Sequence, residues 1–170
     1  MPTAEMCREM ELLFEQVRAQ GKRAGEDQLR WDRDFLAMAE WFALRKSKDP
    51  STKCCGIITR GREFVSMGYN GFAKGVGDSP ERYADRERKL RRVVHAEINA
   101  IVFARQNLEG CTLYTWPFMP CSNCAGVVIN AGIKRVVAPE TPAEKRQRWA
   151  ENMADAAEQF AEAGVELVIL

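Results

Sequence analysis

The sequence predicts an α/β sandwich, with helices on both sides of a mostly parallel sheet that opens with an antiparallel hairpin. Three observations carry this. Short apolar runs read as strands, and after the first pair they alternate with helical patterns. The first two runs, "CCGIIT" and "EFVSMGY", are joined only by the tight "RGR" turn. The 170 residues suit one domain with a sizeable core.

Taken in order, Thr3 to Gln20 reads as a helix, because Met6, Met10, Leu13, Phe14 and Val17 recur at helical spacing. The polar, Gly-containing "AQGKRAGEDQ" reads as a linker. A second helix runs from about Asp32 to Lys46 and carries Phe35, Leu36, Ala39, Trp41, Phe42 and Leu44. It stops before Asp49-Pro50, since a residue preceding proline disfavours the α region. Beyond the hairpin, "NGFAKGVGDSP" is loop. The charged "ERYADRERKLRR" is either a helix or a mobile insertion; its "DRERKLRR" reads first as a solvated face, with a grip on phosphate or an allosteric nucleotide as the alternative. Val93 to Arg105 is helical. "CTLYTW" is a strand that "PFMP" breaks, and Cys121 to Ala131 is a helix ended by Gly132. "RVVAP" is a strand. Glu144 to Ala163 is a long helix with Trp149, Met153, Ala156 and Phe160 on one stripe. Gly164 ends it, and "VELVIL" is the last strand.

Composition narrows the function classes. With 46% hydrophobic and 29% charged residues the balance is soluble and globular, neither disordered nor membrane-embedded. No apolar run approaches the roughly 20 residues of a membrane helix, and the early Glu5, Arg8 and Glu9 argue against a signal peptide. A net charge of +1 gives no global pull towards nucleic acid. The six cysteines, in a chain that reads as cytoplasmic, are expected to be reduced thiols. Cys7, Cys54, Cys55 and Cys111 read as small core residues.

Chemistry concentrates in two stretches. The chain's one histidine, His95, sits in "VVHAEINAI" with Glu97 two residues on. Downstream, "PCSNC" supplies Cys121 and Cys124. One imidazole and two thiolates make a donor set of the right softness for Zn²⁺, and three ligands leave a fourth position for water, as catalytic sites do. In mid-helix, His95 and Glu97 would diverge by about 200°; at a first turn they can address one point beyond the helix tip. Cys121 and Cys124, three apart, share a helical face, and Pro120 suits a helix start. Helix N-termini also favour thiolate. The expectation is two helix tips aimed at one catalytic zinc, with Glu97 a proton carrier and not a fourth ligand. This is the H-x-E…P-C-x-x-C pattern of zinc nucleobase deaminases.

The sequence resembles the deoxycytidylate (dCMP) deaminase family more widely. "WDRDFLAMAEWFALRKSKDP", "SKDPSTK", "GYNGF", "VVHAEINAI", "PCSNCA" and "AGIKRVV" occur in that family's order, from about Trp31 to Val137. The resemblance implies a cytidine-deaminase-like α/β/α sandwich with a five-stranded mixed sheet. It divides the single domain, 1–170, into an N-terminal helical extension (1–30), a family core (31–137) and a C-terminal helix and strand (138–170). It implies hydrolysis of dCMP to dUMP and ammonia, with His95, Cys121 and Cys124 as zinc ligands and Glu97 as proton shuttle. Asn70 of "GYNG" becomes a substrate contact. Lys46, Ser47, Lys48 and Thr52, where the second helix ends, are candidate phosphate donors. A homo-oligomer, dimer or hexamer, with dCTP and dTTP as effectors is also implied. Departures from the family pattern are Cys54-Cys55-Gly56, where a Val-Gly-Ala-like run is usual, and "TWPFMPC", longer by one residue, which brings Trp116 and Phe118 towards the pocket. Trp31, Trp41 and Trp149 read as core or interface, whereas Trp116 reads equally as pocket lining.

Two rival functions stand beside this. One is a deaminase of another cytosine or adenine substrate: a nucleoside, dCTP, a modified dCMP, or tRNA or DNA. The long segment between Asn70 and His95 and the near-neutral charge argue against a polynucleotide. The other is a non-catalytic, zinc-stabilised binding module.

Overall fold

The computed structural model describes residues 4–21 and 25–170. Two helices come first, α1 (Ala4–Gly21) and α2 (Glu26–Lys46). The expectations for Met6, Cys7 and Met10, and for the middle of the linker, lie outside the described residues. α2 begins at Glu26 and not at Asp32, because Glu26 and Asp27 suit the positive end of a helix although they are too polar to read as one. The hairpin strands β1 (Cys55–Arg60) and β2 (Glu63–Tyr69) turn on Gly61, at φ +60°. Then come a short strand β3 (Gly71–Phe72), the single-turn helices α3 (Pro80–Ala84) and α4 (Arg86–Leu90), and a short strand β4 (Val93–Val94). The rest alternates: α5 (Ala96–Ala104), β5 (Thr112–Trp116), α6 (Ser122–Asn130), β6 (Arg135–Ala138), α7 (Ala143–Glu162) and β7 (Glu166–Ile169).

The main sheet has five strands in the order β2-β1-β5-β6-β7. β1 runs antiparallel to both β2 and β5, while β5, β6 and β7 are parallel. The sheet is therefore mixed in equal parts, not mostly parallel. Alternation along each strand divides the core. Ile57, Tyr114, Val137 and Val168 face α2, where Phe35, Leu36, Ala39 and Ala43 cover them. Ile58, Leu113, Val136 and Leu167 face the layer that holds α5, α6 and α7. This is the α/β/α sandwich that was expected.

The charged segment is ordered into α3 and α4. β3 and β4 pair antiparallel, Gly71 with Val94 and Phe72 with Val93, and bring the chain back to the start of α5. Phe72 stacks on Tyr83 at 4.5 Å between ring centroids, which holds α3 against this small ribbon.

Candidate active site

The site begins with the docking of α5. Gly68 on β2 lies so close to α5 that a Cβ there would sit 2.2 Å from the Ala100 nitrogen and 2.5 Å from the Ala96 oxygen. Only glycine permits that approach. Ser66 Oγ donates to the Ala100 carbonyl at 2.7 Å, and Asn99 Nδ2 donates to the Tyr69 carbonyl at 2.8 Å. These bonds fix where α5 starts. His95 is its N-cap, with extended backbone at φ −69° and ψ 155°. Val93 and Val94, expected in the helix, are drawn into the β4 pairing instead.

Cys121 is the N-cap of α6, again extended, at φ −73° and ψ 166°. Asn152 on α7 clamps this start: its Oδ1 accepts from the Ser122 backbone N–H at 2.9 Å and its Nδ2 donates to Ser122 Oγ at 3.0 Å. Two helix tips therefore converge. Cys121 Sγ lies 3.4 Å and Cys124 Sγ 3.3 Å from His95 Nδ1, and all three donor atoms fall within 4.8 Å of one another. This is the one such His/Cys/Asp/Glu group among the described residues. The nitrogen–sulfur separations suit a tetrahedral ion with metal–nitrogen and metal–sulfur bonds of about 2.0 and 2.3 Å. One imidazole with two thiols fits zinc. Glu97 is not in the group; it lies in the first turn of α5, buried at 8% exposure and facing the same cleft.

The electrostatics follow from crowding. A hydrogen bond from Cys124 holds the Cys121 thiol well below its ordinary value despite burial, and His95 adds to this. The Cys124 thiol is pushed up, first because it is the donor in that bond. A hydrogen bond with Cys121 raises the imidazole of His95 against burial. Burial pushes the Glu97 carboxyl above its ordinary value, and the His95 charge only partly offsets this.

The cleft beside the triad is walled by the loop 49–54, α4, the α5 tip, Phe118 and the first half of α7. Thr52 and Asn70 line it. Asn70 is a clamp: its Oδ1 accepts from the Cys54 N–H at 2.8 Å and from Ser47 Oγ at 2.7 Å, and its Nδ2 donates to the Thr52 carbonyl at 2.9 Å. Ser47 stands behind Asn70, buried, and does not reach the cleft. Lys46 is exposed at the end of α2, away from it, and Lys48 pairs with Asp78 at 2.8 Å. Trp116 is also off the cleft. It shares its strand face with Tyr114, so it points into the α2 layer, while Phe118 does line the cleft.

Sequence reasoning missed several wall residues. Trp149, read as core or interface, does pack against the core but also lines the cleft, with Phe118 at 5.6 Å between centroids. Cys54 faces it too, whereas Cys55 and Cys111 are buried in the core. Lys89, in a run read as solvated, is 4% exposed and forms a buried pair with Asp49 at 2.9 Å.

A sandwich that brings one imidazole and two thiols together from two helix tips, with a buried carboxyl beside them, has the architecture of the zinc nucleobase deaminases. The model of the cytidine and deoxycytidylate deaminase zinc-binding region matches residues 29–140, and the chain belongs to that family. An uncharacterized deaminase from Aliivibrio fischeri is 41% identical over 141 residues, which cover 83% of this chain and 94% of that protein. Human deoxycytidylate deaminase is 36% identical over 120 residues, 66% of each chain, so the match falls just short of two thirds of the human enzyme. In fold, the chain is similar to the dCMP deaminase of cyanophage S-TIM5 in its apo form, with a TM-score of 0.64 and 21% identity over 82% of this chain and 96% of that one. Among the described residues no helix is long and apolar enough to cross a membrane.

Proposed function

We propose that the chain catalyses zinc-dependent hydrolytic deamination of dCMP to dUMP and ammonia. One observation carries the reading: His95, Cys121 and Cys124 converge within 4.8 Å at two helix tips, and the buried carboxyl of Glu97 faces the same cleft without joining them. Family membership supports it, as do relatives named deoxycytidylate deaminase in mouse and human. His95, Cys121 and Cys124 hold the zinc, which when bound supplies Lewis-acid activation of water. Glu97 takes a proton from the attacking water and delivers protons to the ring nitrogen and the departing amine, so that dCMP and water give dUMP and ammonia. Asn70 and Thr52 form the polar wall for the sugar, and Asn70 also holds the loop in shape. Phe118 and Trp149 give the pyrimidine an apolar, aromatic wall.

The same reading includes one domain over 1–170, a cytoplasmic setting, a homo-oligomer and dCTP and dTTP as effectors. Among the described residues, Cys54, Cys55, Cys111, Cys121 and Cys124 are unbridged, which supports the cytoplasmic setting. Val102 and Phe103, exposed on α5 at 61% and 52%, support assembly with further copies.

The test is ammonia release from a panel of dCMP, dCTP, deoxycytidine and an RNA hairpin, with zinc, and with and without dCTP and dTTP as effectors. Turnover fastest on dCMP is expected. Turnover of the hairpin but not of dCMP, or of no substrate at all, would overturn the reading.

A further inference from the structure

The helix that carries the two cysteines cannot cap itself. The first N–H groups of a helix meet no carbonyl within it, and the N-cap side chain usually takes one of them. In α6 the N-cap is Cys121, whose sulfur is turned to His95 and makes no cap hydrogen bond. A sulfur reserved for a metal leaves the helix start to other groups. These come from α7. Asn152 Oδ1 accepts from the Ser122 N–H at 2.9 Å, and Asn152 Nδ2 donates to Ser122 Oγ at 3.0 Å. Two turns further along α7, Gln159 Nε2 donates to the Ser122 carbonyl at 3.3 Å and to Asp155 Oδ2 at 3.0 Å.

The N–H, the hydroxyl and the carbonyl of one residue are therefore all held by one neighbouring helix. Ser122 stands between the two cysteines in the first turn of α6. Bonds from two side chains seven positions apart fix that turn both along and about its axis. They thereby set where the two sulfurs stand, 3.4 and 3.3 Å from His95 Nδ1. Gly126, one turn on from Ser122, keeps the approach close: a Cβ there would lie 3.7 Å from Gln159 Oε1. The two helix tips are thus positioned from different sides. The sheet places His95 through Ser66 and Gly68, and α7 places the cysteine pair.

We propose that Asn152, supported by Gln159, is a positioning residue of the metal centre: it supplies the cap that Cys121 gives up and holds both thiols where, with His95, they retain zinc. The proposal rests on the reading of the triad as a zinc site. Neither residue lines the cleft, and both lie beyond residues 29–140, the stretch that the family model matches.

Zinc release to an excess of a chromophoric chelator tests it, alongside thermal unfolding of the zinc-free and zinc-loaded protein. Asn152 is half-buried on a helix surface, so Asn152→Ala is expected to fold. It should speed zinc release by about tenfold or more. It should also narrow the gap in Tm between loaded and zinc-free protein, since that gap follows metal affinity. In the cobalt-loaded protein, the visible bands that report ligand geometry should shift. Asn152→Asp keeps the oxygen that accepts from the Ser122 N–H and should restore most of the wild-type release rate. Gln159→Ala should act in the same direction and more weakly, because its bond is longer. An Asn152→Ala protein that loses the same Tm with and without zinc, and keeps the wild-type release rate and cobalt spectrum, would overturn the proposal and leave Asn152 an ordinary helix cap. Zinc retention that depends on Asn152, without ammonia release from dCMP, would overturn the deaminase reading and leave the positioning role standing.

Discussion

Both faces of the sheet bury a cluster of polar groups, and the two clusters end differently. On the α2 face, Asp32 is fully buried and every partner is present. Arg135 donates to its two oxygens at 2.8 and 2.7 Å, and the Tyr114 hydroxyl and Gln28 Nε2 each donate to Oδ1 at 2.9 Å. Arg135 is held in turn by Glu166 at 3.0 Å. On the other face, His95, Cys121 and Cys124 have mainly one another, and with Glu97 they border a cleft. Burial alone therefore does not mark function. A closed set of partners fixes the fold; donors that converge beside open space are built to take something else.

Substitutions can break this contrast. His95→Ala or Cys121→Ser should abolish both zinc retention and turnover, with metal content read by elemental analysis. Glu97→Gln should keep the zinc and cost about 10² to 10⁴ in kcat; unchanged kcat would remove Glu97 from the mechanism. Asp32→Ala should do the reverse. Removing one partner of a buried pair costs about 3 kcal/mol, which lowers Tm by roughly 6 to 12 °C, while zinc content and kcat per folded molecule stay at the wild-type level. Loss of zinc in that variant would show that the two faces are not separable.

Asp32 also sharpens the contrast through pH. Burial pushes its carboxyl up, but hydrogen bonds from Arg135, Gln28 and Tyr114 and the Arg135 charge hold it below the ordinary value. A depressed carboxyl contributes stability above its unfolded pKa of about 3.9 and loses it as pH falls towards the lower folded value. Denaturant midpoints should therefore fall steeply below about pH 4, and Asp32→Asn should flatten that limb. The smallest effect belongs to Trp116→Phe: KM for dCMP should stay within about twofold, because the side chain packs in the α2 layer.

Much of the site was legible because its spacing is local. "HAE" and "PCSNC" carry their geometry within one helical turn each, and the resemblance carries their roles. The strands were legible as apolar runs, but β1 beside β5 in antiparallel register was not, since nothing local specifies which strands pair. The same holds for Val93-Val94, which only the distant Gly71-Phe72 turns into a strand. Trp116 could have been placed by alternation, because it stands two positions after Tyr114 on one strand. Cys54 could have been placed likewise, since it alternates with Gly56, on whose side α5 lies. Lys89 was hidden by composition: the i, i+3, i+4 face of Arg86, Lys89 and Leu90 lies inside a charged run in which, Arg82 and the buried Tyr83 apart, the other residues are exposed.

The central claim is that the convergent triad on one face of the sheet holds a zinc ion on which deamination of dCMP depends. Ammonia release from dCMP, followed through removal of the metal by a chelator and its return, tests this most directly. Turnover that vanishes in the stripped, still folded protein and returns with one equivalent of zinc is the predicted result; full turnover in the zinc-free protein would contradict it.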